Sequence, residues 1–163
     1  MNFIDFEGNS YPKFQAEGNA SQFAIPFAKH FCKGIGYDIG CNRLDWKLDG
    51  AIPIDPLIDS SHDALKLPPE QVDYIYSSHC LEHLDSWIDA LEYWTKNIRS
   101  GGVLFLYLPD FSQTYWRPWN NKKHKHILDP NHIKEYMKKL GYDKILVSGV
   151  DLNNSFIIVG IKK

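Results

Sequence analysis

Four short stretches of the chain are apolar at consecutive rather than alternate positions: GIGYDIG (34–40), AIPID (51–55), VDYIYSS (72–78) and GVLFLYLP (102–109). Their β-branched and aromatic content predicts strands, and strands apolar on both faces predict a largely parallel sheet covered by helices. Between the last two, SWIDALEYWTKNIRSGG sets Trp87, Ile88, Leu91, Trp94 and Ile98 at helical spacing. Ser86 and Asp89 have the spacing of a capping box, Arg99 is expected in the last turn, and Gly101 supplies a left-handed stop. A second helix is predicted over 130–140, opening at Pro130 and closing at Gly141. KILVSGV (144–150) and NSFIIVGI (154–161) follow as a terminal strand pair. An earlier helix falls between Asn19 and Lys33, with Pro26 interrupting its pattern.

Strand, helix, strand in succession, joined by right-handed crossovers, gives an open α/β sheet whose ligand crevice lies beyond the carboxyl ends of the strands. The residues that end each strand are therefore the candidates for chemistry. A length of 163 residues with no internal repeat, low-complexity tract or long linker fits one domain.

Composition narrows the partners. The formal net charge of −2 gives no general attraction to nucleic acid or to an anionic membrane. Three cysteines, Cys32, Cys41 and Cys80, form neither a disulfide framework nor a four-cysteine zinc site. No apolar run is long enough to span a bilayer, and the amino-terminal stretch lacks the basic and apolar regions of a signal peptide. A cytoplasmic protein is expected.

SSHCLEHLDSW (77–87) contains His79, Glu82 and His83 in the spacing H-x-x-E-H, which the inverted zinc peptidases use to hold a metal. That reading needs both histidines on one helical face. Here His79 ends a strand and His83 precedes the helix, so no metal is expected and a zinc protein is only a remote alternative.

Taken in order, GYDIGCN (36–42), IDP (54–56), HDALKLP (62–68), VDYIYSSHCLEHL (72–84), the following helix and RSGGVLFLYLPD (99–110) resemble the class I S-adenosylmethionine-dependent methyltransferases. The likeness is to the small ones with a leucine-glutamate-histidine element after the fourth strand, and it covers about residues 34–110. It implies a Rossmann-like doubly wound sheet, mostly parallel with an antiparallel C-terminal strand, in a three-layer α/β/α arrangement. It also implies S-adenosylmethionine as cofactor. Residues 1–33 would then be an amino-terminal cap, with FQAEGNASQF (14–23) as a candidate lid. Residues 34–110 would be the cofactor-binding core, 111–129 a substrate-side loop, and 130–163 the closing helix and strand pair.

The residues agree with such a ligand. Gly40, after the first strand, lets backbone approach a ligand closely. Asp55 ends the second strand 17 positions after Asp38, near the interval at which a carboxylate meets ribose hydroxyls in nucleotide-binding α/β folds. The resemblance implies a first-strand loop of Asp38, Gly40, Cys41 and Asn42, a ribose contact at Asp55, and Asp63, Ala64 and Leu65 along the adenine. It sets Ser77, Ser78 and His79 near the methionine portion. Asp38 could equally serve its own loop by binding backbone amides, and Glu82 and His83 could simply tie the strand to the helix start. The family's second loop glycine is Asn42 here, a residue that tolerates the left-handed region. RLDWKLDG (43–50) is too short for the family's long first helix, so the scaffold is trimmed.

YWRPWNNKKHKH (115–126) follows the last parallel strand and is expected over the crevice mouth, where aromatic faces and cations suit a sugar or an anionic small molecule. An extended nucleic-acid footprint is not indicated. For a hydroxyl acceptor, His79 is the first candidate base, with His124 and His126 behind it. The expected activity is methyl transfer to a small-molecule or glycan acceptor by in-line displacement. The alternative is a catalytically silent domain that binds the cofactor or a partner. Exposed aromatics are a candidate homodimer face.

Overall fold

The structure, a computed structural model, describes residues 2–13 and 19–163. Part of the candidate lid, residues 14–18, lies outside the described residues. Strands β1 (Phe3–Phe6) and β2 (Asn9–Pro12) form a separate antiparallel hairpin. The main sheet comprises β3 (Gly36–Ile39), β4 (Ile52–Ile54), β5 (Val72–Ser78), β6 (Ile98–Pro109), β7 (Tyr142–Val147) and β8 (Ser155–Lys162), in the order β4-β3-β5-β6-β8-β7. The first four run parallel to one another, and β8 lies antiparallel between β6 and β7. This is the Rossmann-like, mostly parallel sheet that the strand pattern implies.

Helices cover both faces. On one, Ala90, Leu91 and Trp94 of α2 (Trp87–Asn97) and Ile133 and Met137 of α3 (Pro130–Lys139) pack on Ile75, Leu104, Leu106 and Ile158. On the other, Ala20 precedes α1 (Ser21–Phe31), whose Ala24 and Ala28 are fully buried against Tyr74, Tyr76, Phe105 and Tyr107. Small helix residues thus face large sheet residues, the complementary volumes that dense packing requires. Pro26 does not break α1. It is exposed, and Gln22, whose carbonyl loses a helical partner, is exposed as well, so water can satisfy that group.

Ser86 caps α2 by accepting from the Asp89 amide at 3.2 Å, and Asp129 caps α3 by accepting from Asn131 at 2.7 Å. The end of α2 differs from expectation. Arg99 is not in the last helical turn, because the chain turns extended at Ile98 and continues as a twelve-residue strand. Ile98 is fully buried and pairs with Val72, so burial in the sheet wins over one more turn of helix. Gly101, with φ 78°, sits in the irregularity before Val103 meets Tyr74, and Arg99 pairs with Asp73 at 2.7 Å.

No helix forms over 43–50. Turns there are anchored by Leu48, which is buried and whose amide donates to Asp38 Oδ2 at 2.7 Å. Residues 56–71 are likewise helix-free. The sheet is therefore trimmed, yet β3 remains buried at every position.

Two outcomes follow from this packing. Trp94→Ala removes a fully buried ring and the bond from its Nε1 to the Ala64 carbonyl, and should lower stability by about 3–5 kcal/mol in urea denaturation. Asp38 is pushed up to about 7 by burial, a rise opposed by its bond from Leu48. A carboxyl raised in the folded state keeps its full contribution below its unfolded value near 4 and loses it as pH rises through about 7. Asp38→Asn, which keeps an acceptor for Leu48, should gain on the parent in melting temperature between those pH values and hold a constant difference above them.

Candidate functional site

The sheet's topological switch lies at β3, whose neighbours β4 and β5 are reached in opposite directions, and such a switch opens a crevice at the carboxyl ends. A cleft of about 590 Å³ lies there, lined by Gly40 and Asn42 after β3, Asp55 after β4, and Ser78, His79, Cys80 and His83 after β5. Ala20, Tyr115, Trp116, Asn121, Lys123 and His124 complete the lining.

The loop after β3 is tightly determined. Gly40 has φ 78°, and a Cβ there would lie 2.6 Å from both Cβ and Sγ of Cys80. Only glycine lets the first-strand loop pass beneath the fourth-segment turn without displacing it. Asn42 takes the left-handed conformation at φ 62°. Its amide donates to Asp55 Oδ2 at 2.8 Å, while the Leu57 amide donates to Oδ1 at 2.9 Å. Asp55 thereby joins the ends of β3 and β4, and each of its oxygens keeps a further lone pair.

Among the residues predicted from sequence, Gly40, Asn42, Asp55, Ser78, His79 and His124 line the cleft; Asp38, Cys41, Asp63, Ala64, Leu65, Ser77 and His126 do not. Asp38 is turned to Leu48. Ser77 donates to the Ile39 carbonyl at 3.0 Å and is fully buried. Asp63 holds its own turn by accepting from Leu65, and the Ala64 carbonyl accepts from Trp94. His126 Nε2 bonds the Leu84 carbonyl at 2.8 Å. Ala20 and Asn121 were not singled out, although they lie in the segments 14–23 and 115–126 expected over the crevice.

At the end of β5 the chain kinks through His79, which has φ 48° and whose amide donates to the Tyr107 carbonyl at 2.8 Å. A 3-10 turn, Leu81–His83, follows. The Glu82 carbonyl accepts from the amides of Lys125 at 2.8 Å and His126 at 3.3 Å, and His83 Nδ1 donates to the Lys123 carbonyl at 2.8 Å. These bonds carry His124 over the Glu82 carboxyl. Glu82 Oε1 lies 3.6 Å from His79 Nδ1 and 3.9 Å from Nε2 of both His83 and His124. Glu82 is fully buried, and neither carboxyl oxygen has a hydrogen-bond partner among the described residues.

Burial raises Glu82 to about 8. It lowers His79 to about 3, with His124 and His83 adding repulsion, and lowers His124 to about 3, with His83 adding and a backbone bond to Trp116 opposing. Trp116 stacks on His124 at 5.2 Å between ring centres and an interplanar angle of 17°. Tyr115 meets Trp116 edge-on at 4.5 Å and packs against Phe6 and Tyr11 of the hairpin, whose Tyr11 hydroxyl bonds Thr114 at 2.7 Å. The hairpin and the 114–116 segment are one wall.

A family profile describing a methyltransferase domain matches residues 17–147. Comparison with curated proteins gives no match. Among solved structures, a SAM-dependent methyltransferase from Thermotoga maritima, described as a possible histamine N-methyltransferase, superposes with TM-score 0.69 at 17% identity over 92% of each chain. The N-methyltransferase NodS from Bradyrhizobium japonicum, in complex with S-adenosylhomocysteine, superposes with TM-score 0.64 at 15% identity, over 93% of this chain and 88% of that one. These likenesses show the fold.

The cleft fits the family's cofactor, S-adenosylmethionine. It has a glycine where a Cβ would not fit, an acid at the second strand end, and a buried polar atom, Ser78 Oγ, without a partner among the described residues. Gly40, Asn42, Asp55 and Ser78 are the residues that would hold it. On the match over most of its length, this chain belongs to the methyltransferase-domain family of S-adenosylmethionine-dependent enzymes.

Proposed function

We propose that the protein transfers a methyl group to a small-molecule or glycan acceptor that enters between the Tyr115–Trp116 wall and the end of β5. The observation that carries this reading is the continuity of one cleft from Gly40 and Asp55 to Trp116, Asn121 and Lys123. Bound S-adenosylmethionine supplies an electrophilic methyl group on a sulfonium. Asp55 accepts from the ribose hydroxyls, the glycine loop admits the ligand close to backbone, and Ser78 contacts the methionine portion. Asp63, Ala64 and Leu65, which do not line the cleft, remain the proposed adenine-side segment.

The indole face and N–H of Trp116, the amide of Asn121 and the charge of Lys123 recognise a polar acceptor with a ring face or an anionic group. Holding acceptor and methyl group in line supplies much of the rate. His79 and His124, held near pH 3, are weak bases at neutral pH and position the acceptor, while His126 is engaged by backbone. An amine acceptor in its free-base form needs no such base.

Calorimetric titration tests the cofactor assignment. Parent protein should bind S-adenosylmethionine and S-adenosylhomocysteine, and Asp55→Ala should weaken both at least about tenfold, or about 1.4 kcal/mol. Unchanged affinity would overturn the assignment. Transfer of labelled methyl groups to a panel of amines, hydroxy acids and sugars then reads turnover; binding without any turnover would favour a regulatory binding domain.

A further inference from the structure

The cluster under Trp116 has a composition that neither folding nor cofactor binding explains. Three imidazole nitrogens lie within 3.9 Å of one Glu82 oxygen. Ser155 Oγ gives its own proton to the Asn153 carbonyl at 3.1 Å, so His79 Nε2 donates to Ser155 at 2.9 Å and its Nδ1 faces Glu82 bare. His83 Nδ1 donates to the Lys123 carbonyl, so its Nε2 faces Glu82 bare as well. His124 Nε2 lies at the same distance on the other side. These tautomers are assigned from the hydrogen-bond partners. No donor among the described residues reaches either Glu82 oxygen, and the carboxyl is fully buried. Lone pairs facing lone pairs repel unless a proton, which burial favours on Glu82, or a metal ion sits between them.

We infer that Glu82, His83 and His124 form a binding site for a divalent transition-metal ion of the zinc class, at the floor of the cleft. Their ligand atoms all lie within 4.8 Å of one another, and atoms around a tetrahedral zinc at about 2.0–2.1 Å would lie roughly 3.3 Å apart. The separations of 3.9 Å from Glu82 Oε1 to the two imidazoles therefore close with small rotations. Two imidazoles and one carboxylate leave a coordination position open. His83 is already oriented through Nδ1 on a backbone carbonyl, as metal-bound histidines are. His79 Nδ1 lies beside the same oxygen, outside the group of three.

The site differs from the zinc arrangement weighed on sequence. That one needed His79 and His83 on one helical face; this one keeps His83 and puts His124, brought in by a loop, in the place of His79. Metal binding itself is independent of the methyl-transfer reading. Its use rests on that reading: His83 and His124 line the cleft, so an acceptor hydroxyl entering there can take the open position, lose its proton to water, and present an oxygen lone pair. The acceptor class is thereby narrowed to molecules that present a hydroxyl.

The test uses chelator-stripped full-length protein titrated with Co²⁺, read by visible absorption, and with Zn²⁺ in competition with a chromophoric chelator. Saturation at one equivalent is expected, with a rise in melting temperature on Zn²⁺ addition. Glu82→Gln and His124→Ala should each weaken binding by more than about tenfold. His83→Ala, a change at a half-exposed residue, should do the same while keeping the fold, and His132→Ala, an exposed histidine on α3, should bind as the parent does. No binding by the parent, or binding that survives His83→Ala in a folded variant, would overturn the site and leave Glu82 a buried neutral acid. Titration of the same stripped protein with S-adenosylmethionine reads the cofactor cleft separately.

Discussion

The bonds between residues 82–85 and 123–126 decide the shape of the working end of this molecule. A carbonyl at Glu82 that accepts two amides, from Lys125 and His126, is a backbone contact between segments some forty positions apart. Through it the loop after β6 becomes a roof over the end of β5. The side-chain bonds from His83 to the Lys123 carbonyl and from His126 to the Leu84 carbonyl repeat the same seam. Without the seam, Trp116 and His124 would have no fixed relation to the strand ends, and the cleft would have a floor but no far wall.

The seam matters more here because the scaffold is lean. With turns in place of helices over 43–50 and 56–71, the carboxyl edge of the sheet has little mass of its own. Asp38 and Asp55 compensate in different ways. Asp38 holds Leu48 into the core from below, and Asp55 binds the loops after β3 and β4 to each other. The amino-terminal hairpin adds support from the opposite direction by packing Phe6 and Tyr11 on Tyr115. Three chain segments distant in sequence thus brace one cavity.

The main strands and both long helices were legible because their signals are local: continuous apolar runs, a helical stripe, a serine cap, a proline at a helix start. Ile98 was misread because its stripe position satisfies a helix and a buried strand equally, and only the pairing with Val72 decides. Gly40 and Asp55 were legible as strand-end residues. Asp38 and Ser77 were not separable from them, since a polar atom at a strand end gives the same sequence signal whether it turns to a ligand or to a backbone group. His124 stood in a basic, aromatic loop, and nothing in the order of residues could place it 3.9 Å from Glu82. That contact depends on a tertiary seam that has no period.

The carboxyl of Glu82 is an unfavourable choice for the fold alone. An unpaired carboxyl at full burial costs several kcal/mol if ionised, a large part of the total stability of a domain this size. A glutamine or methionine at position 82 would avoid that cost and still leave the backbone carbonyl to hold the seam. Non-glycine residues in the left-handed region, His79 and Asn42, add strain within the same cleft. Other left-handed residues, Glu7, Lys144 and Asn154, lie away from the cleft. Only at the end of β5 does such a residue, His79, stand beside a fully buried carboxyl without a partner among the described residues. The chemistry of this protein is therefore to be sought at that point as much as at the cofactor loop, because the fold could have dispensed with the first more easily than with the second.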